Sequence, residues 1–227
     1  MLLALTLIVA AADAGTPNDI DLPVLLARVA EQLPSATLPC GFTERTTAEE
    51  LDRKGQPSAR ERHTFRIERT RDAVKRERVS VDNTFNELSA RIRPKEDSEL
   101  TDDEKERRKR SFRTPFRADE QTSYRFRLGE PKQPGQAVVF FEPVEKDTTR
   151  GEGFATVDLE TARILTIVSR PSAFPVFLSE LDIRMSFGST ACGWQPTRIE
   201  LKGEGGFLFI RTRFRSMTTL DEYVARD

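Results

Sequence analysis

The sequence predicts a mainly β, α+β fold: one strongly curved antiparallel sheet of about nine or ten strands in meander order, covered by two helices. Three observations carry this. From Cys40 onward apolar and polar residues alternate with a period of two through most of the chain. The connections between those runs are short and built from Gly, Pro, Asp and Thr, which suits hairpins rather than crossovers. Helical spacing is confined to a stretch before Cys40 and to one charged insertion. A sheet of that length twists and curls, and a helix with an apolar stripe is at hand to cover one face.

The chain opens MLLALTLIVAAADAG, an apolar run followed by Ala12-Asp13-Ala14, the small-x-small pattern of a signal peptidase site. Residues 1–14 are therefore expected to be a signal peptide, and residues 15–227 a single soluble domain in the periplasm or outside the cell. Next, DIDLPVLLARVAEQLP places Leu22, Leu25, Leu26, Val29, Ala30 and Leu33 at helical spacing behind Asp21 as N-cap. Pro34 ends that helix.

CGFTERTTAEELDRKGQPSARERHTFRIER then reads as two long strands joined at Asp52-Arg53-Lys54-Gly55, where Gly55 takes positive φ without steric cost. Phe65 and Ile67 share one face and Arg62, Thr64, Arg66 and Glu68 the other, which predicts an apolar side and a charged side. A third strand, AVKRERVSV, spans Ala73 to Val81. Between about 84 and 116 the alternation stops. There Thr101-Asp102-Asp103-Glu104 has the form of a capping box and opens the helix DDEKERRKRSF, acids first and bases last, as the helix dipole favours. Strands resume with QTSYRFRL, AVVFFEP, GFATVDL and ARILTIVS. In the next, Leu181, Ile183, Met185 and Phe187 alternate with Asp182, Arg184, Ser186 and Gly188. WQPTRIELKG and GFLFIRTRFRS complete the series.

The chain carries 36 basic and 37 acidic residues, so no overall field draws it to nucleic acid or membranes and any charge-driven contact must be local. Two basic features fit that description. KERRKR supplies Lys105, Arg107, Arg108, Lys109 and Arg110 on the inserted helix, and Arg211, Arg213 and Arg215 line one face of the last strand. Each is a solvated charged face or a contact for an envelope protein or an anionic membrane surface. Export, and the lack of aromatics among the KERRKR bases, argue against nucleic acid.

Cys40 and Cys192 are the two cysteines. An even count in an exported chain points to a disulfide tying the first strand to a late one; two free thiols, or metal or redox chemistry, are the alternatives. His63 is the one histidine, no zinc spacing exists, and nucleophile elbows, P-loops and dinucleotide fingerprints are absent from the sequence. His63 itself reads as a half-exposed strand residue. Asp158 and Glu160, two carboxylates between apolar runs, fit the corner of a hairpin better than an acid–base pair: Asp and Thr satisfy local backbone groups at turns, and a solvent-facing corner excludes no water. These absences favour a binding protein over an enzyme, with a hydrolase on Asp158 and Glu160 the remotest alternative.

FFEP, GFATVDLETARIL, LDIRMSFG, GWQPTRIEL and LFIRTRFRSMTTLDEY, together with the Leu51-Asp52-x-x-Gly55 hairpin, resemble the periplasmic lipoprotein-sorting proteins of the LolA/LolB type over most of residues 20 to 224. That resemblance implies an open half-barrel wrapped around helices, with no metal or cofactor, whose apolar hollow holds the acyl chains of a lipid or lipoprotein. Carried onto this chain, it gives Phe65, Ile67, Tyr124, Phe126, Phe140, Ile183, Met185 and Phe187 as the lining. The charged insertion departs from the compact sorting proteins.

Overall fold

A computed structural model describes residues 20–33, 40–69, 74–83, 86–88, 101, 114–131, 133–174, 178–207 and 210–225. The expected signal peptide, the inserted helix and its KERRKR run lie outside the described residues.

Helix α1 spans Leu22–Gln32. The Asp21 carboxylate accepts from the Val24 amide at 3.2 Å, capping one of the amides the helix leaves without a partner. Pro23 sits in the first turn, where no amide hydrogen is needed. Leu25, Leu26 and Val29 form the buried stripe.

Ten strands follow: β1 (Cys40–Leu51), β2 (Pro57–Arg69), β3 (Val74–Asn83), β4 (Tyr124–Gly129), β5 (Gln136–Pro143), β6 (Gly151–Asp158), β7 (Ile164–Pro171), β8 (Leu178–Thr190), β9 (Gly193–Phe207) and β10 (Ile210–Ala225). They make one open antiparallel sheet in the order β3-β2-β1-β10-β9-β8-β7-β6-β5-β4. Every consecutive pair of strands is hydrogen-bonded except β3 and β4, which form the two edges, while β1 lies beside β10. The meander read from sequence is thus two meanders joined at a β1–β10 seam.

The register sets which side chains share a face. One row crosses the sheet through Val139, Ala155, Ile167, Met185, Ile199, Thr218, Thr46, His63 and Val81. The adjacent row runs Phe141, Gly153, Ser169, Ile183, Leu201, Ser216, Ala48 and Glu61. Both belong to the face on which α1 lies, called the inner face here.

Over β4–β7 that face is dry. Leu25, Leu26 and Val29 of α1 pack with Phe116, Tyr124, Val139, Phe141, Ala155, Val157, Ile164 and Ile167, and the cluster reaches Met185 and Phe187 on β8. Each large apolar side chain fully buried this way contributes roughly 1.5–3 kcal/mol. Phe116, from the segment before β4, is 0% exposed and has its ring 5.6 Å from those of Phe126 and Phe141. Two polar clamps seat the helix. Arg28 donates to the Leu159 and Glu160 carbonyls at 3.4 and 2.7 Å, and the Gln121 amide donates to the Leu26 and Phe116 carbonyls, both at 3.0 Å. Gly153 lets β6 and β7 close up, because a Cβ there would run into the Val168 carbonyl oxygen; glycine in a strand interior marks such a bend.

Over β1–β3 the same face departs from the apolar side predicted for it. Phe65 and Ile67 are buried on it as expected, but they share it with Glu44, Glu61, His63, Arg76 and Arg78. Polar groups pair with one another there, and no apolar helix stripe covers these strands among the described residues. Arg76 stacks over the Phe65 ring at 3.4 Å and binds Glu44 at 2.5 Å. Cys40, at the start of β1, is bonded to Cys192 in the β8–β9 turn, 152 residues away, which settles the cysteine alternatives in favour of the disulfide.

Candidate ligand-binding hollow

The inner face between these two halves carries apolar side chains that α1 does not cover. Leu181 and Ile183 on β8, Ile199 and Leu201 on β9 and Phe214 on β10 are all half-buried, and only Met185 and Phe187 of this region belong to the helix-backed cluster. Ile183 and Leu201 face each other across β8 and β9 and are flanked in their row by Gly153 and Ser169 on one side and Ser216 and Ala48 on the other. Small residues thus stand beside large, half-buried aliphatic ones in this row. Beyond the seam the neighbouring row turns polar, with Thr46 and Thr218 sharing a hydrogen bond of 2.9 Å between their hydroxyls. The strip is therefore bounded by packed helix on one side and a polar ledge on the other.

The residues expected to line a hollow separate into several places. Ile183 lies in the uncovered strip; Tyr124, Phe126, Met185 and Phe187 are built into or against the helix-backed core; Phe65 and Ile67 sit on β2 among charged groups. Phe140 is on the opposite, outer face, which corrects its expected inward direction. Its in-register neighbours are Phe154 and Arg127, its ring is 5.8 Å from that of Phe154, and the Arg127 guanidinium lies over it at 3.9 Å. Ile199, Leu201 and Phe214 were not among the expected lining, although the alternation of GWQPTRIEL and of the last strand places them on the inner face.

Arg211, Arg213 and Arg215 do form a stripe, on the outer face, but its charge is largely answered locally. Arg211 and Arg213 bind Glu204 at 3.1 and 2.9 Å, and Arg215 shares Glu49 with Arg60. Burial pushes the Glu49 carboxyl up, and the hydrogen bonds of Arg215 and Arg60 outweigh it, holding Glu49 below the usual glutamate range. Lys105, Arg107, Arg108, Lys109 and Arg110 lie outside the described residues.

His63 is not half-exposed but 2% exposed, which corrects the sequence expectation. Its Nε2 is 2.9 Å from Glu61 Oε2, and the other Glu61 oxygen accepts from the Leu88 amide at 3.0 Å. Its Nδ1 is buried without a hydrogen-bond partner. Burial pushes the imidazole below its ordinary pKa, against the opposing pull of Glu61. With Nδ1 shut away from solvent the pair has the geometry of a structural contact, since a proton-transfer group must reach its substrate.

Asp158 and Glu160 occupy the β6–β7 corner. Asp158 Oδ1 accepts from the Thr161 amide and hydroxyl at 2.8 and 2.6 Å, and those bonds hold its carboxyl below the ordinary aspartate range. A general acid needs the opposite shift. The carbonyls of this corner are the ones that Arg28 grips, so the turn serves to dock the helix.

No known protein family matches the sequence. No curated protein matches it either. Among solved structures the chain is similar to a LolA-superfamily protein from Nitrosomonas europaea, at 12% identity over 92% of this chain and 94% of that one, with a TM-score of 0.42. It is similar also to an outer membrane lipoprotein-sorting protein domain from Vibrio parahaemolyticus, at 10% identity over 89% and 91%, with a TM-score of 0.39. A third likeness is to the MucA/MucB complex of Pseudomonas aeruginosa, at 9% identity over 92% of this chain and 100% of that one, with a TM-score of 0.28.

Proposed function

We propose that this is an exported, non-enzymatic binding protein that carries or senses a lipid-like or lipoprotein-borne acyl chain, laid along the inner face of β8–β10. The observation that carries the reading is the row Gly153–Ser169–Ile183–Leu201–Ser216–Ala48, in which half-exposed aliphatic side chains stand between small ones beyond the reach of α1. An acyl chain there covers apolar surface that otherwise faces water, at roughly 25 cal/mol for each Å² removed. Its ligand is of the apolar class because the strip offers no charge, and export fits the opening MLLALTLIVAAADAG and the disulfide.

Titration of the purified protein with a fluorescent fatty acid tests this. Saturable binding is expected, and it should be lost in Ile183→Asp and in Ser216→Trp, one charging the floor and the other filling it, while Phe140→Ala on the outer face keeps it. An unchanged affinity in both floor variants, with native circular dichroism, overturns the reading.

A further inference from the structure

The edge formed by β4 presents a surface that the hollow does not use. Val144 donates to the Ser123 carbonyl at 2.9 Å, and Tyr124 pairs with Pro143. Alternation along an antiparallel ladder then points the backbone groups of Arg125 and Arg127 toward β5 and those of Phe126 and Leu128 away from it. The sheet ends there among the described residues, so those groups meet no further strand. Arg125 and Arg127 are both exposed on the outer face, and neither meets a carboxylate among the described residues. Glu142, opposite Arg125 in register, is bound instead to Lys146 at 3.4 Å, and Lys146 and Arg170 share Glu152.

Beside this edge the outer face holds a groove of about 570 Å³, lined by Arg125, Arg127, Phe140, Phe154 and Arg170 among others, with Asp182 at its far side. Stacking of Arg127 on the Phe140 ring fixes the guanidinium plane while leaving its hydrogen-bond donors free to point outward. A short edge with two cations on one face repels a second copy of itself, yet its open backbone suits an incoming strand of opposite charge.

We propose that β4 is a docking edge for an extended acidic peptide segment, added antiparallel as an eleventh strand. Side chains of an added strand alternate between the two faces. The recognised segment therefore alternates too, with acids on the outer face against Arg125 and Arg127 and apolar residues on the inner face beside Phe126 and Leu128. Recognition is by backbone pairing plus charge, independent of the acyl-chain hollow.

The test uses the full-length protein and a fluorescein-labelled, N-acetylated heptapeptide of alternating glutamate and valine, read by anisotropy. Binding is expected to weaken with added salt and to fall by about tenfold or more in Arg125→Glu/Arg127→Glu. That variant should regain binding to the lysine–valine version of the peptide. Methylating the valine amides, which face β4, should abolish binding; methylating the glutamate amides should not. Equal binding of the two methylated peptides, or no loss in the double variant, overturns the proposal. So does capture of phosphatidylglycerol vesicles through the same two arginines with no peptide binding. Fatty-acid binding by the double variant should match the parent, which keeps the fate of this site separate from that of the hollow.

Discussion

Val139, Ala155 and Ile167 occupy one row of the inner face, and Thr46 and His63 continue that row beyond the seam, yet the two ends are closed to water by different physics. On β4–β7 a helix arrives with its own apolar stripe, and burial is by dispersion and the hydrophobic effect. On β1–β3 the covering groups are Arg76, Arg78, Glu44 and the segment Asn86–Leu88, which is pinned by the Leu88 amide on Glu61. Buried ion pairs and charge-assisted hydrogen bonds add little net stability but are costly to break singly. The lesson is that one curved sheet divides into a half that stabilises and a half held in a specific polar arrangement, and the half-buried apolar strip falls where the first gives way to the second.

Four experiments break or sharpen this contrast, taken from the largest effect down. The disulfide spans the seam, joining the start of β1 to the β8–β9 turn. Cys40→Ser/Cys192→Ser should lose about 4–5 kcal/mol in denaturant unfolding, on the chain-entropy account of so long a loop. In the helix-backed half, Phe116→Ala should cost about 3–5 kcal/mol, as expected when a fully buried ring leaves a cavity. Phe214→Ala, in the half-exposed strip, should shift the denaturant midpoint by less than half as much.

In the ion-paired half, Glu49→Gln leaves Arg60 and Arg215 without their shared charge and should cost roughly 1–3 kcal/mol. Glu204→Gln, whose partners Arg211 and Arg213 are widely exposed, should leave the midpoint unchanged. A midpoint that moves equally for both variants would erase the distinction drawn between them. The smallest effect is one of pH. His63 titrates lower in the fold than its unfolded value of about 6.5, so the unfolded chain takes up the proton first. Stability attributable to His63 should fall as pH drops through about 6.5, by no more than about 1.4 kcal/mol per pH unit, until the folded pKa is passed. Comparing midpoints at pH 7.5 and 5.5 checks this. His63→Gln, which keeps a donor for Glu61, should reduce the difference.

Strand positions were readable wherever only one face is apolar, because strict alternation then fixes parity. QTSYRFRL and LDIRMSFG are cases in point, as is α1 with its cap and stripe. Parity is lost in AVVFFEP, where five successive residues from Ala137 to Phe141 are apolar. Apolar side chains stand on both faces of β5 there, so nothing in the run distinguishes the outward Phe140 from the inward Phe141. The ion partners of the last strand, Glu49 and Glu204, become neighbours of Arg215 and Arg213 only through pairing of β10 with β1 and β9. Glu61, the partner of His63, is held in turn by the Leu88 amide, which comes from beyond β3. Such long-range packing leaves no local pattern to read.

The β1–β10 seam bears on how the molecule is made and lost. Because β1 pairs with β10, that seam stays undone until all the intervening strands have been made, while β1–β3 waits as a separate three-stranded ribbon. Loss of β10 would accordingly part the ribbon β1–β3 from β4–β9 rather than fray one border, and a copy without it would carry two raw borders more than an intact one.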